Sequence, residues 1–111
     1  EKKKIIFFST PFDNESVVFL NKIKVPMFKI SSFDIANADL IKEIIKTKKP
    51  TIMSTGMASI KEINNSYQKF KKNNVPISLL HCISSYPTKI KDLNLNSIDL
   101  VLLSFAKNAF C

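Results

Sequence analysis

Ile77-Ser78-Leu79-Leu80-His81-Cys82-Ile83-Ser84-Ser85-Tyr86-Pro87 reads as a parallel strand that crosses an interior and opens into a site at its far end. Pro76 starts the stretch, a short apolar run follows, and His81, Ser84, Ser85 and Tyr86 then gather at one end. The same grammar recurs upstream. Pro50-Thr51-Ile52-Met53 runs into Ser54-Thr55-Gly56-Met57, and Pro26-Met27-Phe28-Lys29-Ile30 runs into Ser31-Ser32-Phe33-Asp34. Ile5-Ile6-Phe7-Phe8 runs into Ser9-Thr10-Pro11-Phe12-Asp13. Four predicted strands thus deliver hydroxyls, a charge or an aromatic at the same end.

Between them lie helices with readable starts and stops. Asp13 or Asn14 caps the first, Glu15 suits its positive end, and Val17, Leu20 and Ile23 recur at helical spacing. Asn37 caps the second, with Ile41, Ile44 and Ile45 as its apolar stripe. Ser59 and Glu62 form a capping box, followed by Ile60, Ile63, Tyr67 and Phe70 on one face. Prolines at 26, 50 and 76 recur after 24 and then 26 residues, so each repeat is strand, polar turn, helix, proline. After the polar connection Thr88–Asn96, Ser97–Phe105 reads as a fourth helix.

Tandem βα units imply parallel strands joined by crossovers. An open doubly wound sheet should carry a glycine-rich phosphate loop after its first strand. Gly56 is the only glycine, and polar groups follow all four strands, so a (β/α)8 barrel fits better. A barrel needs about 200 residues or more, and this chain has 111. The expectation is therefore a partial barrel of about four consecutive βα units, the central piece of a larger enzyme.

Composition narrows the class. With 45% hydrophobic residues the chain can form a core, and no apolar run reaches the length of a membrane span. Ile5–Phe8 is too short for a signal-peptide core. Cys82 and Cys111 make no disulfide framework, which predicts a reducing, cytoplasmic setting. The net charge is +8, but the lysines (Lys42, Lys46, Lys48, Lys49, Lys61, Lys69, Lys71 and Lys72 among them) are scattered over predicted helix surfaces and loops. They read as solvated faces rather than a nucleic-acid surface, and the balance suits a small anionic substrate.

Lys29 is the sharpest candidate for chemistry. It sits between Phe28 and Ile30, where an unpaired ammonium is costly. A frayed strand would let it snorkel; its position beside the strand end favours a functional cation, which pairs with a phosphate or carboxylate or forms a Schiff base. Thr10, Ser32, Ser54, Thr55 and Ser84 are hydroxyl donors for the same anion, although each alone reads as a turn or capping residue. Asp34 reads as a turn cap or a catalytic acid in nearly equal measure. Gly56 permits close backbone approach or a positive φ. Tyr86 is a lid-side donor or a packed aromatic. His81 reads as a hydrogen-bonded strand histidine, and Cys82 as inert packing.

The motifs Ser9-Thr10-Pro11-Phe12-Asp13, Phe28-Lys29-Ile30-Ser31-Ser32, Met53-Ser54-Thr55-Gly56-Met57 and Leu80–Pro87 together resemble the sialic acid synthase family, which includes N-acetylneuraminate, legionaminate and pseudaminate synthases. All four occur in family order and spacing, from about Phe7 to Asn96. The resemblance implies a catalytic (β/α)8 barrel, with a small C-terminal antifreeze-like domain in full-length members. It implies that phosphoenolpyruvate condenses with an acetamido-sugar aldehyde to give a nine-carbon 2-keto acid and phosphate, a metal-associated water adding at C2. Lys29 matches the family's phosphoenolpyruvate-holding lysine, and Thr10, Ser32, Ser54, Ser84 and Tyr86 match positions lining that pocket.

Asp34, the candidate catalytic residue, stands where many members have Glu. The resemblance further implies a divalent metal, Mn or Mg, whose ligands lie on a Ser-Asp-His strand absent from this segment, and a homodimer in the full-length enzyme. Upstream strands with a glutamate and another anion-binding lysine are also absent, and the tail from Leu100 to Cys111 follows the family poorly. The alternative expectation is an inactive remnant, or an anion-binding half-barrel without catalysis.

Overall fold

The computed structural model describes residues 5–106. Expectations that involve Glu1–Lys4 or Ala109-Phe110-Cys111, Cys111 included, lie outside the described residues. In chain order the elements are α1 (Asn14–Lys22), β1 (Phe28–Ile30), α2 (Ala38–Lys46), β2 (Thr51–Ser54), α3 (Ile60–Lys72), β3 (Ile77–Leu80), a 3-10 turn (Ile90–Asp92) and α4 (Asn96–Ala106). The strands form one parallel sheet in the order β1-β2-β3. Each strand leads through a helix to its neighbour, as the proline-spaced repeat predicts.

The helix starts follow from their caps. The Ser16 N–H donates to the Asp13 carboxylate at 2.7 Å, and the Leu40 N–H donates to the Asn37 side-chain oxygen at 3.2 Å. At α3 the Ser59 N–H donates to Glu62 at 2.8 Å while the Glu62 N–H donates to the Ser59 hydroxyl at 3.3 Å, so the capping box is formed. The stops share a device that the prolines only hint at. Lys24, Lys48 and Asn74, each two residues before a proline, take φ of 60°, 58° and 54°. Such left-handed residues let the chain turn back and satisfy the last helix carbonyls: Val25 N–H donates to Leu20 and Val75 N–H to Phe70.

These caps bear on acid stability. Hydrogen bonds from the Ser59 hydroxyl and N–H hold the Glu62 carboxyl below the usual carboxylate range, and the Ser16 N–H does the same for Asp13. A carboxylate depressed in the folded state contributes stability that is present above its unfolded pKa and is lost as pH falls through its folded value. The urea midpoint is therefore expected to fall as pH drops below about 4, with a shallower fall in Ser59→Ala. Parallel pH curves for the two proteins would show that the box contributes nothing.

Strand register sorts the sheet into two faces. Phe28 aligns with Thr51 and Ile77, and Ile30 with Met53 and Leu79. These face the helices: Phe28, Ile30 and Met53 are fully buried with Val17, Leu20, Leu40, Ile41, Ile44, Ile63 and Phe70 in one core. Lys29, Ile52 and Ser78 align on the opposite face, followed by Ser54 and Leu80. Each buried Leu, Ile or Phe on the helix side contributes about 1.5–3 kcal/mol to the packing of the βα units.

Three expectations need correction. Ile5–Phe8 is not a strand: it touches the sheet only through a single parallel bridge from Ser9 to Phe28, and its side chains are 40–78% exposed. No described element covers it, so the ladder has nothing to hold it. The sheet therefore has three strands where four were expected. Second, β3 is an edge strand that is half open, with Ser78 and Leu80 exposed, because it pairs with β2 alone among the described residues. Third, Ile23 and Ile60 lie outside their apolar stripes, at 48% and 50% exposure; each sits at a helix end, where the stripe has rotated off the core.

Candidate active site

Parallel pairing brings the C-terminal ends of β1, β2 and β3 to one side, and the Ser9 bridge adds the Ser9-Thr10 segment to that side. The Lys29 N–H donates to the Ser9 carbonyl at 3.1 Å, so Thr10 follows directly from a residue hydrogen-bonded to the Lys29 backbone. Lys29 itself is half-buried on the open face, flanked in sequence by two fully buried side chains that point the other way. Its ammonium makes no ion pair or side-chain hydrogen bond among the described residues. The ion pair between Lys46 and Glu43 lies on α2. A half-buried cation without a countercharge favours an anionic ligand.

The other residues divide into those free to act and those committed to structure. Ser32 and Thr10 are half-buried, and Ser54 is buried at the end of β2 opposite Leu80. Thr55, expected among the anion's donors, gives its hydroxyl to the Leu80 carbonyl at 2.8 Å, and its N–H goes to the same oxygen. This pair of hydrogen bonds locks the β2 exit to the β3 exit, so Thr55 is a staple rather than an anion donor. Asp34 is half-buried, and its Oδ2 accepts from the Ser31 hydroxyl at 2.9 Å. Asn37 caps α2, as the sequence predicts, and Asp34 closes the turn before it: its N–H donates to the Ser31 carbonyl at 3.1 Å and its own carbonyl accepts from the Asn37 N–H at 2.9 Å, which agrees with the turn-cap reading and leaves a fixed carboxylate at the β1 exit.

Beyond β3 the rim is a loop. Ser84 and Tyr86 are exposed, Tyr86 at 97%, so Tyr86 is not a packed aromatic. Gly56 meets this loop closely: a Cβ there would lie 2.9 Å from both the Cys82 carbonyl oxygen and the Ser84 hydroxyl. Its φ is not positive, so close approach is the reason for glycine. Gly56→Ala is expected to cost about 1–3 kcal/mol by overpacking a backbone oxygen that cannot swing aside. An unchanged thermal midpoint would contradict that contact.

His81 is the hydrogen-bonded histidine expected: its Nε2 lies 2.8 Å from the Leu93 carbonyl oxygen. Cys82 is a free thiol. Sequence reasoning missed that Lys49 and Lys48 are not merely solvated; Lys49 Nζ donates to the Val25 carbonyl at 2.7 Å and Lys48 Nζ to Asn73 at 2.9 Å, at the end of the sheet away from the rim. It also missed Ser66, buried in α3, which donates to the Ile35 carbonyl at 2.5 Å and ties α3 to the turn after β1. A buried serine on a helical apolar face is the signal that points to it.

No three or more His, Cys, Asp or Glu side chains converge among the described residues. This accords with ligands that the resemblance places outside this segment, so none of the described residues is assigned to the metal. No helix among the described residues is long and apolar enough to cross a membrane.

A model of the NeuB family matches residues 1–108. The N,N'-diacetyllegionaminic acid synthase of Campylobacter jejuni is 42% identical over 101 residues, covering 88% of this chain and 30% of that protein. The pseudaminic acid synthase of Helicobacter pylori is 41% identical over 92 residues, covering 82% of this chain and 27% of that protein. Among solved structures, the N-acetylneuraminic acid synthetase of Leptospira borgpetersenii, in complex with citrate, superposes with a TM-score of 0.86 at 42% identity, over 90% of this chain and 35% of that one. The chain thus spans about 30% of the length of the curated relatives it matches.

Proposed function

Because the chain belongs to the NeuB family, we propose that it forms the phosphoenolpyruvate-binding part of a nonulosonic acid synthase, an enzyme that condenses phosphoenolpyruvate with an acetamido-sugar aldehyde. The observation that carries this reading is Lys29, a half-buried cation on the open sheet face with no countercharge among the described residues, at the end where hydroxyls collect. In this reading the chain supplies consecutive βα units of a (β/α)8 barrel whose remaining strands come from elsewhere in a longer protein. On its own it is inactive. The enzyme works in the cytoplasm as a homodimer.

Lys29 neutralises the phosphoenolpyruvate anion, and Thr10, Ser32, Ser54, Ser84 and Tyr86 donate to its oxygens. Such charge-assisted hydrogen bonds are short and directional, so they hold C3 of the substrate toward the incoming aldehyde. C3 attacks the aldehyde carbon; a carbon–carbon bond forms, and the aldehyde oxygen takes a proton to become a hydroxyl. Water adds at C2, and the C2–oxygen bond to phosphate then breaks, leaving a 2-keto acid and inorganic phosphate. Asp34, oriented by Ser31, is assigned as the acceptor of the proton that water gives up as it adds; that proton balances the one taken by the aldehyde oxygen, and the second water proton leaves with the phosphate. The same donors stabilise charge as it builds on the departing phosphate.

The test is product stoichiometry in the complete protein that carries this chain. Phosphate and 2-keto acid are expected in equal amounts, only when both phosphoenolpyruvate and an acetamido sugar are present. Phosphate release that ignores the sugar, or none at all, would overturn the reading.

A further inference from the structure

We propose that His81 is a positioning residue for phosphoenolpyruvate binding: it clamps shut the loop that carries Ser84 and Tyr86. The inference rests on the function proposed above. His81 leaves the end of β3, and its Nε2 meets the carbonyl oxygen of Leu93, 12 residues later, at 2.8 Å. A carbonyl only accepts, so Nε2 carries the proton and donates. The bond therefore joins the two ends of the 82–92 loop.

Little else holds that loop. Ser84, Ser85, Tyr86 and Pro87 are exposed, and so are Lys89, Ile90, Lys91 and Asp92. Within it, the Thr88 hydroxyl donates to the Ser85 carbonyl at 2.6 Å, which shapes the turn without anchoring it. At its start, Gly56 lies close under Cys82 and Ser84, and Thr55 grips Leu80. At its end, the connection into α4 packs loosely: a cavity of ≈ 210 Å³ lies between β3 and α4, a second of ≈ 200 Å³ lies between α4, the loop and the start of α3, and His81 borders both. Segments with few buried contacts open at low cost, so one hydrogen bond at the loop closure decides how often Ser84 and Tyr86 occupy their places.

A neutral hydrogen bond contributes about 1 kcal/mol net, which is roughly a fivefold change in an equilibrium. In the complete protein, His81→Leu is expected to raise the KM for phosphoenolpyruvate about fivefold or more while changing kcat less. His81→Gln, which returns an N–H donor near the Nε2 position, is expected to recover most of the loss. Amide hydrogen exchange across residues 82–92 should speed up in the Leu variant and slow again in the Gln variant.

Unchanged loop exchange in a folded His81→Leu protein would overturn the clamp. A Gln variant as impaired as the Leu variant in KM would overturn the positioning role, as would equal losses in KM-independent and KM-dependent activity that track the folded fraction. If the wild-type protein does not turn over phosphoenolpyruvate at all, the functional reading fails and the positioning role with it; the exchange result then still decides the clamp by itself.

Discussion

Replacing Lys29 by methionine in the complete protein is expected to raise the KM for phosphoenolpyruvate by about 10- to 150-fold. The figure follows from the roughly 1.5–3 kcal/mol that a hydrogen bond to a charged group contributes. Methionine keeps the length and apolar stem of the lysine, so β1 should stay folded: Phe28 and Ile30 face the core and Lys29 faces away from it. Arginine is not expected to restore binding, because its planar fork needs a different arrangement of oxygens from a point charge. Steady-state kinetics at varied phosphoenolpyruvate check the result. A KM within about twofold of wild type would remove Lys29 from the site; hydrogen bonds to anions are not that weak.

Phe28→Ala is expected to destabilise the protein by about 3–5 kcal/mol, the usual cost of deleting a fully buried aromatic. Phe28 is 0% exposed, its N–H donates to the Pro50 carbonyl at 3.0 Å, and it lies between Thr51 of β2 and the bridged Ser9. It belongs to one core with Ile30 and Met53, both also 0% exposed, so its deletion leaves a cavity in a closely packed region. The loss should appear as a lower urea midpoint with an unchanged slope. Activity should fall only as the folded fraction falls, which separates Phe28, a support for the strand, from Lys29, a ligand-binding residue on its other face. A stability loss under about 1 kcal/mol would mean that the cavity heals, contrary to the packing described.

The helices were the most legible part of the chain. Asp13, Asn37 and Ser59 each cap where their side chains can reach a free N–H, and the chemistry of such caps is local. Strand order was legible from the proline-spaced repeat. Pairing was not: Ile5–Phe8 has the composition of a strand, yet a strand needs a partner and a cover, neither of which is written in its own residues. The helix stops were legible from Val25-Pro26, Lys48-Lys49-Pro50 and Asn73–Pro76; the left-handed backbone at Lys24 and Lys48 was not, because lysine, unlike the asparagine at 74, carries no preference for it.

At the site, the residue types were readable and their commitments were not. Lys29 stood out because a cation between two core residues is unusual. Thr55 and Asp34 looked alike as polar groups at strand ends, but Thr55 is bound to the Leu80 carbonyl and Asp34 to the Ser31 hydroxyl. The His81–Leu93 bond was invisible, since its acceptor is a backbone carbonyl that any residue could supply.

The central claim is that separate strand ends converge on one anion. Amide hydrogen exchange of the complete protein, with and without saturating phosphoenolpyruvate, tests it most directly. Protection is expected together at residues 9–10, 29–32, 54–56 and 81–86, and not on the lysine-rich surfaces of α2 and α3. Protection confined to those helix surfaces, or none at any strand end despite saturation, would contradict it.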